Sequence, residues 1–417
     1  MKISKIWATQ ILDSRGWPTI ECNLLLENNY LIKSSVPSGA STGKFEAIEL
    51  RDGDKNNYLG KSVLKAVNNI NKIIAPKFIN KSPDLKKIDR ELINLDGTEN
   101  KSKLGANAIL AVSMVIARAQ AYAQGQELYQ FIGNFFGNKN FNSPKCMFNI
   151  LNGGAHADNN IAFQEFMIMP ISGNNFAQNL EMAVIVYNKL KNILKTKKYF
   201  TGVGDEGGFA PNLENQGKEA ITKIFDLLSE AIEQSGFTLG KDIVFCLDVA
   251  ASQFYDSNNK IYNLGKEKPS QNELISFYED LIKAYKIYSI EDGLDEQDWA
   301  GWQNLTSKLG DKLILVGDDI FVTNPKLIQK GVNNKIANSV LIKPNQIGTV
   351  TETLDAIKLA QKNNYKIVIS HRSGETCDTF IADLAVGVNA GFMKSGAPCR
   401  CERVAKYNRL LEIESTK

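Results

Sequence analysis

The length and composition are those of a globular protein. The chain has 417 residues, 43% of them hydrophobic and 23% charged, which excludes disordered, fibrous and membrane-embedded classes. Its 49 Lys and Arg residues against 46 Asp and Glu residues give a formal charge of +3 without a long block of one sign. We therefore expect no nucleic-acid partner and no membrane insertion, and a small-molecule partner instead. At about 150 residues per domain, the length predicts two domains.

Targeting and disulfide patterns are not apparent in the sequence. Residues 1–16 lack a continuous apolar segment followed by a cleavage site, so we expect no cleaved secretory signal. The longest apolar stretch, residues 109–123, is interrupted by Ser113, Arg118 and Gln120 and predicts a buried helix rather than a membrane span. The six cysteines show no paired or zinc-ligand spacing, which favours reduced thiols and a cytoplasmic location.

The first part of the chain predicts an α+β domain. Apolar residues between positions 19 and 32, interrupted by Asn28 and Asn29, predict two antiparallel strands and a turn. The sequence VPSGASTGK that follows predicts a loop; it lacks the spacing of a phosphate-binding P-loop, and we interpret it as a mobile lid. Apolar residues at helical spacing then mark one face of a helix: Val63, Val67, Ile70 and Ile74.

The predicted domain boundary lies in residues 133–145, which are rich in Gly, Asn and Pro and would be crossed by few core contacts. It separates an N-terminal domain, 1–138, from a C-terminal domain, 139–417. In the second domain, short apolar runs alternate with helical patterns, and each run ends at a polar residue. These polar residues are Asp248, Glu291, Asp318, Lys343 and His371, the last four separated by 27, 25 and 28 positions.

This alternation predicts a parallel sheet with intervening helices. In a β/α barrel the carboxyl ends of the strands meet on one face, so the five polar side chains would converge there. The alternative is an open doubly wound sheet in which the polar residues cap helices. That alternative accounts for one Asp after a strand, but poorly for three acids, a lysine and a histidine in succession.

Three of these residues could form a metal site. Asp248, Glu291 and Asp318 offer carboxylate oxygens, the ligands that Mg²⁺ prefers in proteins. Each acid taken alone is more often a helix cap or an ion-pair partner. Three of them on one barrel face would repel one another and need a cation.

Other polar residues predict acid, base and anion-binding functions. GVGDEGGFAPN contains the glycine spacing of a dinucleotide-binding motif, but no apolar strand precedes it; it predicts a turn that presents Glu206. Arg372 and Ser373, next to His371, would bind an anion. Lys343 would lie among cations, have a lowered pKa and act as a base, although most lysines simply extend into solvent.

Taken together, these segments resemble the enolases, the phosphopyruvate hydratases. The resemblance extends over the whole chain and is carried, in order, by ILDSRG, VPSGASTG, NGGAHADN, QEFMIMP, VGDEGGFAPN, LDVAAS, SIEDGLDE, VGDDIFVTN, KPNQIGT, SHRSGET and RVAKYN. It implies an α/β fold in which an N-terminal α+β capping domain precedes a C-terminal enolase-type (β/α)8-like barrel. It also implies reversible, Mg²⁺-dependent dehydration of 2-phosphoglycerate to phosphoenolpyruvate, in glycolysis and gluconeogenesis.

The resemblance assigns roles to individual residues. The ligands that it implies for a first Mg²⁺ are Asp248, Glu291 and Asp318. A second Mg²⁺ would arrive with substrate and be held partly by Ser41. Lys343 would be the base, and Glu206 the acid, kept protonated by the neighbouring Glu165. The residues expected to bind substrate are His156, Gln164, Glu165, His371, Arg372, Ser373 and Lys394.

The resemblance further implies a homodimer, or an octamer, in the cytoplasm, with secondary display at the cell surface. Two other functions stay open: a related enzyme for a non-phosphorylated acid, which SHRSGET disfavours, and a non-catalytic surface protein that binds a plasminogen-type partner. The chain departs from the family at Trp17, Ala162, Gln253, Gly293, Cys377, Cys399 and Cys401. None of these replaces a proposed ligand, base or acid. We expect the last three, as cysteines near the substrate side, to affect positioning and sensitivity to oxidation.

Overall fold

The computed structural model describes residues 1–39 and 43–416. Its N-terminal domain begins with a three-stranded antiparallel sheet of β1 (Ile3–Leu12), β2 (Pro18–Leu26) and β3 (Leu31–Ser35). The two predicted strands and their turn are confirmed, with Asn29 in the turn at a φ of 64°. The sequence does not predict β1, because its buried residues Ile3, Ile6 and Ala8 do not alternate strictly with exposed ones.

Helices complete the N-terminal domain. They are α1 (Leu64–Asn68), α2 (Ala75–Phe78), α3 (Leu85–Asp96), α4 (Ala106–Ala123) and α5 (Leu128–Phe136). The predicted apolar helix face is confirmed. It runs along α1, a π-helical turn at Asn69–Ile74, and α2, and its residues Ile70 and Ile74 are fully buried.

Helix α4 contains the predicted buried helix. Within the described residues it is the one helix whose length and composition would suffice to cross a bilayer, yet 78% of it is buried inside the protein. It packs against β2, β3, α3 and α5. A helix that is apolar on all sides and surrounded in this way is a core helix, as the sequence predicts.

The C-terminal domain is built on a closed barrel of eight strands. The strands of this domain are β4 (Lys145–Asn152), β5 (Glu165–Pro170), β6 (Ile243–Asp248), β7 (Tyr255–Asp256), β8 (Ile261–Tyr262), β9 (Ile287–Glu291), β10 (Ile314–Gly317), β11 (Ser339–Ile342), β12 (Lys366–Ser370) and β13 (Phe392–Lys394). Strands β7 and β8 form a separate hairpin, and the other eight follow one another around the barrel in chain order. The five predicted apolar runs correspond to β6, β9, β10, β11 and β12.

The expectation of a wholly parallel sheet is wrong for one strand. Strand β5 pairs antiparallel with both β4 and β6. The residues between β4 and β5 form only a short 3-10 turn, Gly154–His156, and no crossover helix. Because parallel neighbours need a long crossover connection, two strands joined so briefly run antiparallel.

Helices surround the barrel. They are α6 (Phe176–Thr196), α7 (Gly217–Gln234), α8 (Gln271–Ala284), α9 (Trp299–Leu309), α10 (Pro325–Asn333), α11 (Pro344–Ile347), α12 (Val350–Lys362), α13 (Phe380–Gly387) and α14 (Cys401–Ser415). An apolar cluster that includes Met147, Met167, Val316 and Leu341 packs between the barrel strands. The barrel is therefore filled, and polar chemistry is confined to its ends. The predicted α/β fold, a cap followed by a (β/α)8-like barrel, is confirmed.

The cap contacts the barrel close to the strand ends that carry polar residues. Ser38 and Gly374 exchange two backbone hydrogen bonds of 2.7 and 2.8 Å. Arg118 on α4 donates to both oxygens of Asp378, at 2.6 and 2.9 Å. The predicted domain division after residue 138 falls between α5 and β4 and stays a prediction.

Candidate active site

The carboxyl ends of the barrel strands surround a small polar cavity. Asp248 ends β6 and Glu291 ends β9, and the two residues are paired in register. Asp318, Lys343 and His371 directly follow β10, β11 and β12. The predicted convergence of these side chains at one barrel face is therefore present in the fold. Predicted site residues that line the cavity are His156, Gln164, Glu165, Glu206, Asp248, Asp318, Lys343, His371, Arg372, Ser373 and Lys394.

Glu165 reaches this face because of the reversed strand. It is the first residue of β5 and lies opposite Asn152, at the end of β4, and Asp248, at the end of β6. Since β5 runs antiparallel to its neighbours, its beginning lies where their ends lie. The predicted second-metal ligand Ser41 lies outside the described residues.

One side of the cavity combines acids with lysines. This acid–lysine side consists of Asp248, Glu291, Asp318, Lys343 and Lys394. Lys394 Nζ donates to both Glu291 oxygens at 2.9 and 3.0 Å, and to Asp248 Oδ2 at 3.1 Å. It also donates to Glu165 Oε1 at 3.3 Å. Burial lowers the pKa of Lys394, but these carboxylates outweigh burial and hold the pKa well above its usual range. Lys394 is thus a buried cation.

Lys343 differs from the predicted neutral base. Its Nζ donates to Asp318 Oδ2, while Asp318 Oδ1 accepts from Gln346 Nε2 at 3.0 Å. Burial lowers the pKa of Lys343, and the neighbouring Arg372 and Lys394 lower it as well, but Asp318 outweighs them and the pKa is raised. The predicted lowering is wrong for this state of the protein, because strand spacing does not reveal which carboxylate lies against the lysine.

The cavity contains acidic groups that could hold a metal ion. Six acidic and three cationic side chains line it, and acids in this number offer the oxygen ligands that a divalent cation requires. Within the described part of the chain, potential ligand atoms lie within 4.8 Å of one another in two groups: His156, Glu165 and Glu206, and Asp292, Asp318 and Asp319. The three predicted ligands are divided, since Lys394 bridges Asp248 and Glu291 while Asp318 belongs to the second group. That ligand set stays a prediction.

On the other side of the cavity, carboxylates lie beside imidazoles around Glu206. This imidazole side consists of His156, Glu165, Glu206 and His371. Glu206 Oε2 lies 3.2 Å from His371 Nε2 and accepts from Asn149 Nδ2 at 3.0 Å. His156 Nδ1 lies 3.6 Å from Glu206 Oε1 and 3.7 Å from Glu165 Oε1. All four side chains of the imidazole side are buried.

The pKa values of Glu165 and Glu206 shift in opposite directions. Burial raises the pKa of Glu165 well above its usual range, and the adjacent Glu206 raises it further. Burial would also raise the pKa of Glu206, but His371, His156 and Arg403 outweigh burial and hold that pKa well below its usual range. The lowered pKa of Glu206 is opposite to the predicted direction, because the sequence does not show that both imidazoles lie beside Glu206. The assignment of Glu206 as the acid, with Glu165 as its partner, stays a prediction.

The predicted anion-binding residues share the loop after β12. The buried Arg372 guanidinium donates through Nη1 to Glu46 Oε2 at 3.1 Å and to Asn345 Oδ1 at 2.8 Å. His371 N donates to Lys394 O at 3.1 Å, which ties the loop to β13. A planar guanidinium beside a hydroxyl is suited to phosphate oxygens. Glu46, next to the predicted lid, is a partner that the sequence does not reveal.

Asp292 is a further functional residue that sequence reasoning misses. It has a φ of 43° and accepts from the backbone N–H groups of Asp318, at 3.0 Å, and Asp319, at 2.9 Å. These bonds fix the start of the segment that carries Asp318. The one signal in the sequence is that Asp292 directly follows Glu291.

Two departures from the family pattern have partners in the fold. Gln253 Nε2 donates to Gln164 Oε1 at 2.6 Å, and Gln164 Nε2 donates to Asp248 Oδ2 at 3.2 Å. Gln253 therefore orients a residue that contacts a proposed metal ligand. Trp17 is covered by Lys61, whose Nζ lies 4.4 Å from the centroid of the indole ring.

The cysteines differ in their surroundings. Cys399 Sγ lies 3.1 Å from Tyr187 Oη and 3.3 Å from the carbonyl oxygen of Gly207. Burial raises the pKa of the Cys399 thiol, which reduces its thiolate fraction and argues against ready oxidation at this position. Cys377 and Cys401 are exposed, and sensitivity there stays a prediction.

Fold and site together define a capped α/β-barrel protein with acids, lysines and imidazoles at the carboxyl face of the barrel, where barrel enzymes place their active sites. The family model for the enolase N-terminal domain matches residues 3–132, and that for the enolase C-terminal TIM barrel domain matches residues 140–416. The enolases of Ehrlichia ruminantium strains Gardel and Welgevonden are each 52% identical over 415 residues, covering 99% of this chain and 96% of theirs. The chain belongs to the enolase family.

Proposed function

We propose that this protein catalyses the reversible dehydration of 2-phosphoglycerate to phosphoenolpyruvate. The observation that carries the proposal is that Lys343, the Glu165–Glu206 pair, Lys394 and Arg372 line one buried cavity. The reaction needs a base for the proton on the carbon next to the carboxylate, and an acid that releases hydroxide from the neighbouring carbon as water. Membership of the enolase family supports the same reaction.

We infer that Lys343 is the base. Only its neutral amine can accept the substrate proton, whereas Asp318 stabilises the ammonium form in this state. Lys343 therefore becomes a base when Asp318 binds another group and no longer stabilises the ammonium form. Asp318 is also a proposed metal ligand, so the same carboxylate would link metal binding to the readiness of the base.

Glu206 is proposed as the acid, with Glu165 as its partner. The pKa of Glu165 is raised, and the oxygens of the pair and a nitrogen of His156 lie within 4.8 Å of one another. An anionic substrate close to Glu206 would raise the pKa of Glu206, since like charge disfavours the ionised form. Substrate binding would thus favour transfer of the proton to the residue that must release water.

The carboxylate of the substrate gains negative charge when the proton leaves. Lys394 is a buried cation placed to stabilise it, and a charge pair at 4 Å is worth about 4 kcal/mol at an effective dielectric of 20. Because each 1.4 kcal/mol is about tenfold in rate, this one contact could supply several powers of ten. Asp248, Glu291 and Asp318 would hold Mg²⁺, whose charge would act on the same carboxylate. Ser41 would help to hold a second Mg²⁺.

Arg372 and Ser373 would bind the phosphate, with His371 beside them at the substrate, and with Gln164 and His156 nearer the reacting carbons. The pairing of Arg372 with Glu46 shows that its guanidinium is held in a fixed place before substrate arrives. A phosphate would then meet a preorganised partner, which reduces the entropy lost on binding.

Assembly and location are proposed from the family resemblance. We expect a cytoplasmic homodimer that acts in glycolysis and gluconeogenesis, with an octamer as the alternative and display at the cell surface as a secondary location. The six cysteines are free, which supports a reducing compartment. Sedimentation velocity would distinguish the dimer from the octamer.

The reaction can be followed through the ultraviolet absorbance of the conjugated double bond in phosphoenolpyruvate. We expect the absorbance to rise when 2-phosphoglycerate and Mg²⁺ are added to the purified protein, to stop with chelator, and to recover with excess Mg²⁺. No rise would reject the reaction, and a rise that chelator leaves unchanged would reject the metal. The non-catalytic alternative, a plasminogen-type surface binder, predicts no rise.

A further inference from the structure

Arg403, in the sequence RVAKYN, has no part in the reaction outlined above, yet it reaches the site from helix α14. It is fully buried. Its Nη1 lies 2.6 Å from His371 Nδ1 and donates to the carbonyl oxygen of Arg372 at 2.6 Å. Its Nη2 donates to the carbonyl oxygens of Ser373 at 2.7 Å and Asp205 at 3.1 Å. One guanidinium therefore joins the loop of His371 to the loop that carries Glu206.

The contact with His371 determines which ring nitrogen carries the hydrogen. A guanidinium has N–H donors and no acceptor, so His371 Nδ1 must accept from Arg403. In a neutral imidazole the hydrogen is then on Nε2. His371 Nε2 lies 3.2 Å from Glu206 Oε2, so the group that carries the hydrogen lies beside the carboxylate of Glu206.

The surroundings of His371 favour its neutral form. Burial, assisted by Arg403 and Lys394 and opposed by Glu206, lowers the pKa of His371 to about 3. The ring therefore stays neutral near pH 7, and its tautomer decides whether Glu206 faces a donor or a lone pair. A lone pair would repel a carboxylate and disturb the position of the proposed acid.

We propose that Arg403 is a positioning residue that fixes His371 in the Nε2–H tautomer and holds it against Glu206. The catalytic consequence rests on the proposed function, whereas the tautomer is a property of the substrate-free protein. Failure of the enolase assay and failure of this inference can therefore be distinguished.

Helix α14 also offers a matched control. Lys406, one turn beyond Arg403, is buried as well. Its Nζ donates to Glu375 Oε2 at 2.7 Å and to the carbonyl oxygens of Thr376 and Glu402 at 2.6 and 2.7 Å. Lys406 thus secures the same loop after β12 further along. Lys406→Met would loosen that loop without removing the donor to the imidazole.

The tautomer can be read by long-range ¹H–¹⁵N correlation spectra of the full-length protein labelled with ¹⁵N-histidine. The chain has two histidines, so a His156→Asn variant assigns both imidazoles. At pH 7.5 we expect His371 to show a protonated Nε2 and an unprotonated Nδ1. Arg403→Met should replace this single form by a tautomer mixture or by the Nδ1–H form, whereas Lys406→Met should retain it.

Turnover gives the second readout. We expect Arg403→Met to lower kcat about 10- to 100-fold, as is usual for a residue that orients a functional histidine, and Lys406→Met to lower it less. Circular dichroism checks that Arg403→Met folds. If it does not, Arg403→Lys, which keeps the charge but not the planar fork, is tested by the same spectra and the same kcat measurement. An Nδ1–H or doubly protonated His371 in the unmodified protein, or an unchanged tautomer in the Arg403 variant, would overturn the proposal.

Discussion

The two sides of the cavity stabilise buried charge in different ways. On the acid–lysine side, each acid is in direct contact with an ammonium group, and Lys394 alone donates to both Asp248 and Glu291. On the imidazole side, Glu206 faces two histidines and an amide, with Asn149 donating at 3.0 Å. The acid–lysine side therefore places positive charge where an anionic intermediate would form. The imidazole side determines which group carries a proton.

This difference shows that burial alone does not set the state of an acid. Burial favours the protonated form of Glu165, Glu206 and Asp318 alike. Yet the pKa of Glu165 is raised while those of Glu206 and Asp318 are lowered, because their partners differ. The side chain that faces each carboxylate decides its charge.

The largest expected effect on the acid–lysine side comes from Lys343→Ala. It removes the proposed base, so kcat should fall by about 10³-fold or more, while metal-dependent binding of substrate, followed by calorimetry, should persist. Lys366→Ala is a suitable control, since Lys366 is exposed at the start of the neighbouring strand β12 and its removal should leave kcat nearly unchanged. Ordinary turnover by Lys343→Ala would remove this residue from the role of base.

On the imidazole side, isosteric variants of the carboxylate pair should separate acid from partner. Glu206→Gln should lower kcat about 10²- to 10⁴-fold, since an amide cannot donate the proton. Infrared difference spectra at pH 7.5 then show where the proton lies. The raised pKa of Glu165 predicts a C=O band that disappears in Glu165→Gln and remains in Glu206→Gln, beside bands from other buried acids whose pKa is raised. The reverse pattern would contradict the raised pKa of Glu165.

The smallest effect concerns Asp89, a buried acid of the cap that has neutral partners. Its Oδ2 accepts from Thr351 N at 2.9 Å and Thr351 Oγ1 at 2.7 Å. Burial outweighs these bonds and raises the pKa of Asp89 from 3.8 to about 6. The folded state thus holds this proton to higher pH than the unfolded chain, and its stability falls as pH rises through that window.

Asp89→Asn should therefore stabilise the protein at pH 8 by up to about 3 kcal/mol, at roughly 1.4 kcal/mol per pKa unit. The gain over the unmodified protein should be much smaller near pH 4, where the acid is protonated in the folded state. Urea unfolding at both pH values measures the difference. An equal effect at both pH values would show that folding does not raise the pKa of Asp89.

Local patterns in the sequence predict the architecture and most of the residues that line the site. Apolar runs that end at Asp248, Glu291, Asp318, Lys343 and His371 recur at a β/α spacing, and strands with such a pitch place their ends together. The buried helix α4 and the hairpin of β2 and β3 follow from equally local patterns of hydrophobicity.

What only the tertiary structure decided is which side chain faces which. The reversed direction of β5, which brings Glu165 to the site, depends on a connection too short for a crossover. Distances between residues remote in sequence determine the Lys343–Asp318 contact, the raised pKa of Glu165 and the contact of Arg403 with His371, 32 positions away. Charge states follow those distances, so residue types and spacing specify the participants of this site, and packing specifies their protonation.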